Sequence, residues 1–178
     1  MTRGSDRSDP LAPRTGLADL SPAYFGLVMA TGIVSLAASM MAHPNIARAL
    51  FYLNIVQYAV LCLLYAARAW RYPRRFFGDM VEHLTGPGYF TAVAGTCILA
   101  SQFLILDGNV AAGKALWLFA AILWLCLTYT IFTALTVRHN KPTLDKGING
   151  SWLLAVVATQ AISVSSALLA ARIGQSYR

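Results

Sequence analysis

The sequence predicts an all-α integral membrane protein, in which five transmembrane helices form two helical hairpins and one further inner helix. Of its 178 residues, 57% are hydrophobic and only 12% are charged, about half the charged share of a water-soluble domain. The apolar residues form five runs, each long enough to cross a bilayer, and a repeat relates three of these runs. This pattern excludes an ordinary soluble enzyme and a nucleic-acid-binding arm, and it indicates the lipid bilayer as a partner.

The apolar runs follow one another along almost the whole chain. Residues 1–20 are rich in Arg, Asp, Ser, Pro and Gly and are predicted to be a disordered cytoplasmic tail. The first run, about 20 residues long, exceeds the core of a cleaved secretion signal and is expected to be a retained anchor. Residues 21–172 are predicted to form the transmembrane domain, and residues 173–178 a second tail. The five predicted spans lie near residues 22–41, 47–69, 87–106, 113–137 and 151–171.

Each span is expected to be a helix, because backbone amides in lipid can form hydrogen bonds only within their own segment. Pro22 and Pro87 stand in the first turns of their spans, where the missing amide proton costs no hydrogen bond. The N-terminal tail and the second and fourth loops hold ten of the 14 Lys and Arg residues. This excess predicts a multi-pass protein of the cell (inner) membrane, with a cytoplasmic N-terminus and an external C-terminus.

A repeat of about 64 residues relates the odd-numbered spans. Each copy begins with an aromatic residue and reaches a threonine seven residues later. The copies run from Tyr24 to Thr31, from Tyr89 to Thr96 and from Trp152 to Thr159. The odd spans are rich in Gly, Ala, Ser and Thr, which permit close helix packing, whereas the even spans carry bulky apolar residues that suit lipid. One unit is therefore predicted to be an inner helix followed by a returning outer helix.

Small and hydroxyl side chains continue from the repeated threonine along each inner span, because positions i, i+4 and i+7 share a helix face. Two interpretations are open: this stripe packs helix against helix, or it lines a polar path whose hydroxyls replace part of an ion's hydration shell. Gln160 can donate to an anion or pair with a neighbouring helix. The candidate pore-lining residues are Thr31, Ser35, Ala38, Thr96, Ala100, Phe103, Thr159, Gln160, Ser163 and Ser166.

Ionisable side chains are missing from the inner spans, which removes the usual carriers of acid–base catalysis and proton coupling. Cys62, Cys97 and Cys126 lie in different apolar runs and are expected to be buried thiols without a disulfide. The three histidines lie in connecting segments and lack the spacing of a zinc site. We therefore expect no enzyme activity, no catalytic residue, no metal and no cofactor.

Three segments carry a more specific signal: SPAYFGLVMATG at Ser21–Gly32, GPGYF at Gly86–Phe90 and KPTLDKGINGSWLL at Lys141–Leu154. In combination they resemble the tellurite-resistance/dicarboxylate transporter family. This family includes bacterial tellurite-resistance membrane proteins, fungal malate and sulfite transporters, and plant guard-cell slow anion channels. The likeness covers residues 21 to about 171 and raises the weight of the pore interpretation of the stripe.

The resemblance implies a fold of ten helices arranged as a ring of five hairpins, with the inner helices lining a central anion pore, and assembly into a homo-trimer. Family members are about twice as long, so the chain is expected to hold the first half of the ring. The phenylalanine that closes the family's pore lies on the ninth helix and is not carried over. Because three inner helices cannot close this ring, the chain alone is expected to conduct nothing. It is expected to be either a truncated product or a half that other subunits complete.

The predicted function is membrane transport of a small anion: a C4-dicarboxylate, tellurite, sulfite or a similar oxyanion. Without fixed charge, binding is expected to be weak and release fast. The basic segment from Arg68 to Arg75 either raises the local anion concentration or anchors the protein to anionic lipid. The alternative function is a non-transporting membrane assembly subunit. The expected partners are the bilayer, a small anion and further copies of the chain, with no nucleic acid.

Overall fold

The structure, a computed structural model, describes residues 16–17, 20–80, 82, 85–137 and 150–176. Within these ranges, all regular secondary structure is helical. Most of the predicted tail at residues 1–20 and residues 138–149 of the fourth loop lie outside the described residues, and so do the predictions made for them.

Five helical segments of the described chain are long and apolar enough to cross a membrane, which confirms the prediction of an all-α protein with five membrane-length helices. A short sixth helix, α3, lies between the second and third of them. The helices are α1 (Phe25–Met40), α2 (Pro44–Arg71), α3 (Pro73–Met80), α4 (Phe90–Gln102), α5 (Val110–Val137) and α6 (Leu153–Ser176).

Three helix ends differ from the sequence prediction, and one of them is the start of α5 at Val110, ahead of the predicted start near 113. α2 begins at Pro44, ahead of the predicted start near 47, because a proline in the first turn begins a helix without the loss of a hydrogen bond. α6 continues to Ser176, beyond the predicted end near 171. Its last turns are polar, so apolar length alone could not locate the end of this helix.

Each inner helix begins with a 3-10 turn, at Pro22–Tyr24, Gly86–Tyr89 and Gly150–Trp152. The first two turns contain the prolines at their starts. The third turn occupies the same place in the repeat without a proline, so this entry geometry does not depend on proline. α4 ends in a π-helical turn, Phe103–Asp107, after which Gly108 adopts the left-handed backbone conformation (φ 70°) that glycine tolerates best.

α4 lies at the centre of the described bundle and packs against α1, α2, α5 and α6. In its span 72% of the most apolar window is buried, compared with 17% to 22% in the other four spans. The helices α1, α4 and α6 form an inner row; α2 packs against α1 and α4, and α5 packs against α4 and α6. Two hairpins and a third inner helix are therefore present, while the ring of five hairpins stays a prediction.

A buried amide pair joins the first hairpin to α4. Asn54 Nδ2 of α2 donates to Gln102 Oε1 of α4 over 2.6 Å, and both side chains are fully buried. Gly32 of α1 provides the space, since a Cβ there would lie 2.9 Å from Asn54 Nδ2 and 2.4 Å from Ile98 Cγ2. The hydrogen bond joins α2 to α4, and Gly32 lets α1 approach both of them closely.

A buried ion pair holds the end of the bundle at which α2 ends and α4 begins, which we call the basic end. Arg68 is 1% exposed, and its Nη2 donates to Asp79 Oδ2 of α3. Its Nη1 donates to the Tyr89 hydroxyl over 3.3 Å, and that hydroxyl donates to Phe76 O over 3.2 Å. The pairing compensates the buried guanidinium, whose charge would be costly to leave alone, and it fixes α3 against α2 and α4.

We expect Gly32→Ala to lower the free energy of unfolding by about 1–3 kcal/mol, because the added methyl group overpacks the contact with Ile98 and the amide pair. Thermal unfolding in lipid nanodiscs, followed by tryptophan fluorescence, measures this change. Gly26→Ala on the same helix is the matched control, since nothing lies within 4 Å of its Cβ position. Equal destabilisation by the two substitutions would contradict the close approach of α1 to its neighbours.

Candidate functional site

The three inner helices line a groove on one face of their row. The groove has a volume of about 670 Å³ and receives side chains from α1, from α4 with its π-helical turn, and from α6. It is open on the side away from the row, where Met40 is 88% exposed and Leu153 is 66% exposed. The lining residues are Met29, Ile33, Leu36, Met40, Ala94, Cys97, Ile98, Ser101, Ile105, Leu153, Val156, Val157, Gln160, Ala161, Val164 and Leu168.

The groove follows the register of the sequence repeat. Four positions of α1 line it together with their counterparts 65 residues later, in α4 and its π-helical turn, and a further 63 residues later in α6. The equivalent sets are Met29, Ala94 and Val157; Ile33, Ile98 and Ala161; Leu36, Ser101 and Val164; and Met40, Ile105 and Leu168. Because positions i, i+4, i+7 and i+11 share a helix face, all three helices turn the same face of the repeat toward one space.

Ser101 and Gln160 supply the polar side chains of the groove, which is otherwise apolar apart from the Cys97 thiol. The Ser101 hydroxyl donates to Cys97 O over 2.9 Å, an ordinary arrangement for serine in a membrane helix. The Gln160 side chain is exposed and forms no hydrogen bond with any residue that the structure describes. Its amide group is therefore available to donate to a molecule in the groove.

Gln160 is the one predicted pore-lining residue that lines this groove; the other nine lie on faces turned away from it. The repeated threonines contact the outer helix that precedes them in the chain. Thr96 and Tyr58 of α2 form a hydrogen bond with 3.0 Å between the hydroxyl oxygens. Thr159 accepts a hydrogen bond from Trp124 Nε1 of α5 over 3.1 Å. In both cases the hydroxyl binds an outer helix.

The last stripe position, seven residues after each threonine, also contacts the outer helix that precedes it in the chain. Phe103 packs edge to face against Phe51 of α2, with 5.0 Å between the ring centroids. Ser166 accepts a hydrogen bond from Trp117 Nε1 of α5 over 2.8 Å. On α4 and α6, therefore, both ends of the stripe face the preceding outer helix.

The middle stripe position contacts the outer helix that follows. The Ser35 hydroxyl donates to Ala47 O of α2 over 2.8 Å. At the equivalent position of the second hairpin, Ala100 O lies 3.4 Å from where a Cβ of Gly113 of α5 would be. Small residues at this position let α1 and α4 each approach the outer helix of their own hairpin closely.

The remaining stripe residues, Thr31, Ala38 and Ser163, face positions at which the described chain has no outer helix. Thr31 and Ala38 belong to α1, which has no preceding outer helix in the described chain, and both are partly exposed. Ser163 belongs to α6, which has no following outer helix among the described residues, and it is exposed. A pore-lining role for the nine stripe residues outside the groove stays a prediction, and their observed contacts favour packing.

Sequence reasoning missed Ser101, the polar groove residue of α4. A signal for it was present in the repeat itself, in the apolar series that begins two residues before the threonines, at Met29, Ala94 and Val157. This series has the same helical spacing as the stripe and runs along a different face. Hydroxyl groups are the side chains expected along an ion path, whereas this face is mainly apolar.

The family model described as voltage-dependent anion channel (SLAC1) matches residues 19–178 of the chain. An uncharacterised transporter of Methanocaldococcus jannaschii is 23% identical over 151 residues, which cover 82% of this chain and 44% of that relative. The chain thus spans less than half the length of this curated relative. No solved structure matches it. The family match confirms the resemblance read from the motifs, and the chain belongs to the voltage-dependent anion channel family.

Proposed function

We propose that the protein takes part in the transport of a small anion along the groove between α1, α4 and α6. The observation that carries the proposal is the register of the groove, in which three inner helices contribute the same four positions of the repeat. Membership of a family of anion channels supports an anion as the transported species. The inner helices thus line the path, and the outer helices pack against the opposite faces of the inner helices.

The groove offers an anion weak, uncharged donors. The Gln160 amide can donate hydrogen bonds, the Ser101 hydroxyl can do so when it rotates away from Cys97 O, and no carboxylate is among the lining residues. Donors without a full charge hold an anion loosely enough for it to leave, which conduction requires. The surrounding Met, Ile, Leu and Val side chains provide an apolar barrier that excludes ions when the path is dry. Ser101 and Gln160 are accordingly the residues that we assign to anion selection.

The basic end supplies charge that attracts anions to the membrane surface. Arg71 and Arg74 are exposed there, and a cluster of positive charge raises the local concentration of anions. We assign this end and the N-terminus to the cytoplasmic side of the cell membrane, because ten of the 14 basic residues belong to that side. Assembly as a homo-oligomer, a trimer by family resemblance, is part of the same proposal.

The proposed cargo is a C4-dicarboxylate or a small oxyanion such as sulfite or tellurite. Such anions present several acceptor oxygens, which suits a path whose polar groups are N–H and O–H donors. Gln160 and Ser101 lie on different helices, so an anion with separated oxygens could be bound by both of them.

A non-transporting membrane assembly subunit is the second candidate function. The contacts of the stripe favour it, because the hydroxyls of Ser35, Thr96 and Thr159 bind outer helices. The apolar character of the groove favours it as well, since a partner helix could cover such a surface. The two functions differ in whether the groove contains water in the assembled membrane protein.

Thiol accessibility in membranes distinguishes the two functions. In a chain whose three native cysteines are changed to alanine, we expect Ser101→Cys and Gln160→Cys to react with a membrane-impermeant thiosulfonate, because an ion path contains water. The transported anion is expected to slow the reaction at position 160. Mass spectrometry of the protein extracted from labelled native membranes measures both effects.

The matched controls are Thr96→Cys and Thr159→Cys, which lie on the same two helices and face outer helices. We expect both controls to react slowly. Fast reaction of the controls together with slow reaction at positions 101 and 160 would move the path to the hydroxyl stripe. Protection of all four positions would favour the assembly subunit.

We expect the chain reconstituted alone to give no anion flux above that of protein-free liposomes, because α1, α4 and α6 enclose the groove on one side only. Release of an entrapped anion, followed with an ion-selective electrode, measures the flux. Clear flux that Gln160→Leu abolishes and Gln175→Leu leaves intact would contradict this expectation. It would mean that copies of the chain complete the wall.

A further inference from the structure

A second cavity lies on the outer surface of the bundle, away from the groove, and we call it the outer cavity. It separates the outer helices α2 and α5 and has α4 as its floor, with a volume of about 220 Å³. No part of the proposed anion path uses it. The lining residues are Pro22, Phe25, Tyr58, Cys62, Tyr65, Phe76, Tyr89, Ala92, Thr96, Phe119, Leu123 and Leu127.

The outer cavity is similar in length to an acyl chain in one leaflet. Its α5 wall runs from Phe119 to Leu127, which spans about 12 Å of helix. One leaflet contributes about 15 Å to the hydrocarbon core of a bilayer. Phe119 is 51% exposed, so the cavity opens sideways between two lipid-facing helices. Its other limit is Phe76 of α3, at the basic end.

The walls of the outer cavity have no unsatisfied hydroxyl to offer a polar ligand. Tyr58 and Thr96 bond to each other, Tyr65 donates to Ser21 O, and Tyr89 donates to Phe76 O. The remaining wall atoms are aromatic or aliphatic, apart from the Cys62 thiol. An occupant must therefore be apolar along the length of the cavity, and hydrocarbon satisfies this condition.

The exposed arginines of the basic end favour a negatively charged ligand beside α3. Arg71 ends α2 and Arg74 lies in the first turn of α3, two residues before Phe76 of the cavity wall, and both arginines are exposed. Trp70, 91% exposed, is an aromatic residue of the type that lies at the headgroup level of a membrane. Exposed arginines at this level attract anionic phospholipid headgroups.

We propose that the outer cavity holds one acyl chain of an anionic phospholipid, whose phosphodiester headgroup lies against Arg71 and Arg74. The cavity accepts the hydrocarbon chain, and the two arginines favour an anionic headgroup over a neutral one. Because the lipid contacts α2, α3, α4 and α5 together, it fills the space between the two hairpins and holds their separation constant. The cavity is separate from the anion path, but Arg71 and Arg74 are shared with the proposed function, because a bound headgroup neutralises part of the charge that attracts anions.

Native mass spectrometry of the full chain tests the proposal, after reconstitution into nanodiscs of equal parts phosphatidylglycerol and phosphatidylcholine and gentle extraction. We expect one retained phosphatidylglycerol per chain. Ala92→Leu and Leu123→Trp enlarge opposite sides of the cavity wall, and each is expected to abolish retention. Ala59→Leu, on an exposed position of α2, is the matched control and is expected to retain the lipid. Retention unchanged in both cavity variants, or lost equally in the control, would overturn the proposal.

Separate substitutions test whether Arg71 and Arg74 favour an anionic headgroup. We expect Arg71→Gln and Arg74→Gln each to reduce the preference for phosphatidylglycerol over phosphatidylcholine about fivefold, the effect of one basic residue at an anionic surface. Arg48→Gln at the opposite end of α2 is the control and is expected to change nothing. An equal effect of Arg48→Gln would overturn the assignment of the headgroup to the basic end.

A photoreactive amino acid in place of Phe119 identifies the occupant directly. We expect its main product to be an adduct with phospholipid. A cross-link between two copies of the chain would instead show that a second copy covers the outer cavity, and this result would overturn the lipid proposal.

Discussion

Small side chains on α4 are the constraint on which the rest of the structure depends, because four other helices approach this helix at once. Gly95 illustrates the separation: a Cβ there would lie 3.4 Å from Phe25 O and 3.4 Å from Val28 Cγ1 of α1. In lipid, association between helices gains little from the hydrophobic effect, so such close contact supplies much of the stabilisation. A larger residue on α4 would therefore disturb both hairpins and α6 together.

The inner helices divide their surfaces between two tasks. One face carries hydroxyl and small residues and packs against outer helices, where Tyr58 and Trp124 provide polar partners in a medium that provides none. Another face carries the apolar rows of the groove, with Ser101 and Gln160 among them. Polar residues therefore lie at the contacts between inner and outer helices, and the candidate path is mainly apolar. In a water-soluble protein, by contrast, polar residues usually face the aqueous surface and apolar residues form the packing contacts.

Composition and periodicity were sufficient to predict the five membrane-length helices, because the bilayer imposes length and helicity on every span. Composition and periodicity were not sufficient to predict which face of each inner helix lines the groove. Thr96 would be expected on either face, since hydroxyls serve helix packing and ion paths alike. Ser101 is a single hydroxyl in an apolar series, so only the register of that series within the repeat indicates it. The contacts of Gln102 with Asn54 depend on the room beside Gly32, which only tertiary structure reveals.

The repeat also separates the parts of the chain that tolerate a change of length from those that do not. Counterparts are 65 residues apart in one pair of inner helices and 63 apart in the next, yet the same positions line the groove, so the connections absorb the difference. Inside an inner helix there is no such freedom, because each added residue rotates everything beyond it by about 100°. One residue inserted after Thr96 would turn Ser101 and Ile105 away from the other rows. Evolution of this fold by insertion and deletion is therefore expected to be confined to its loops.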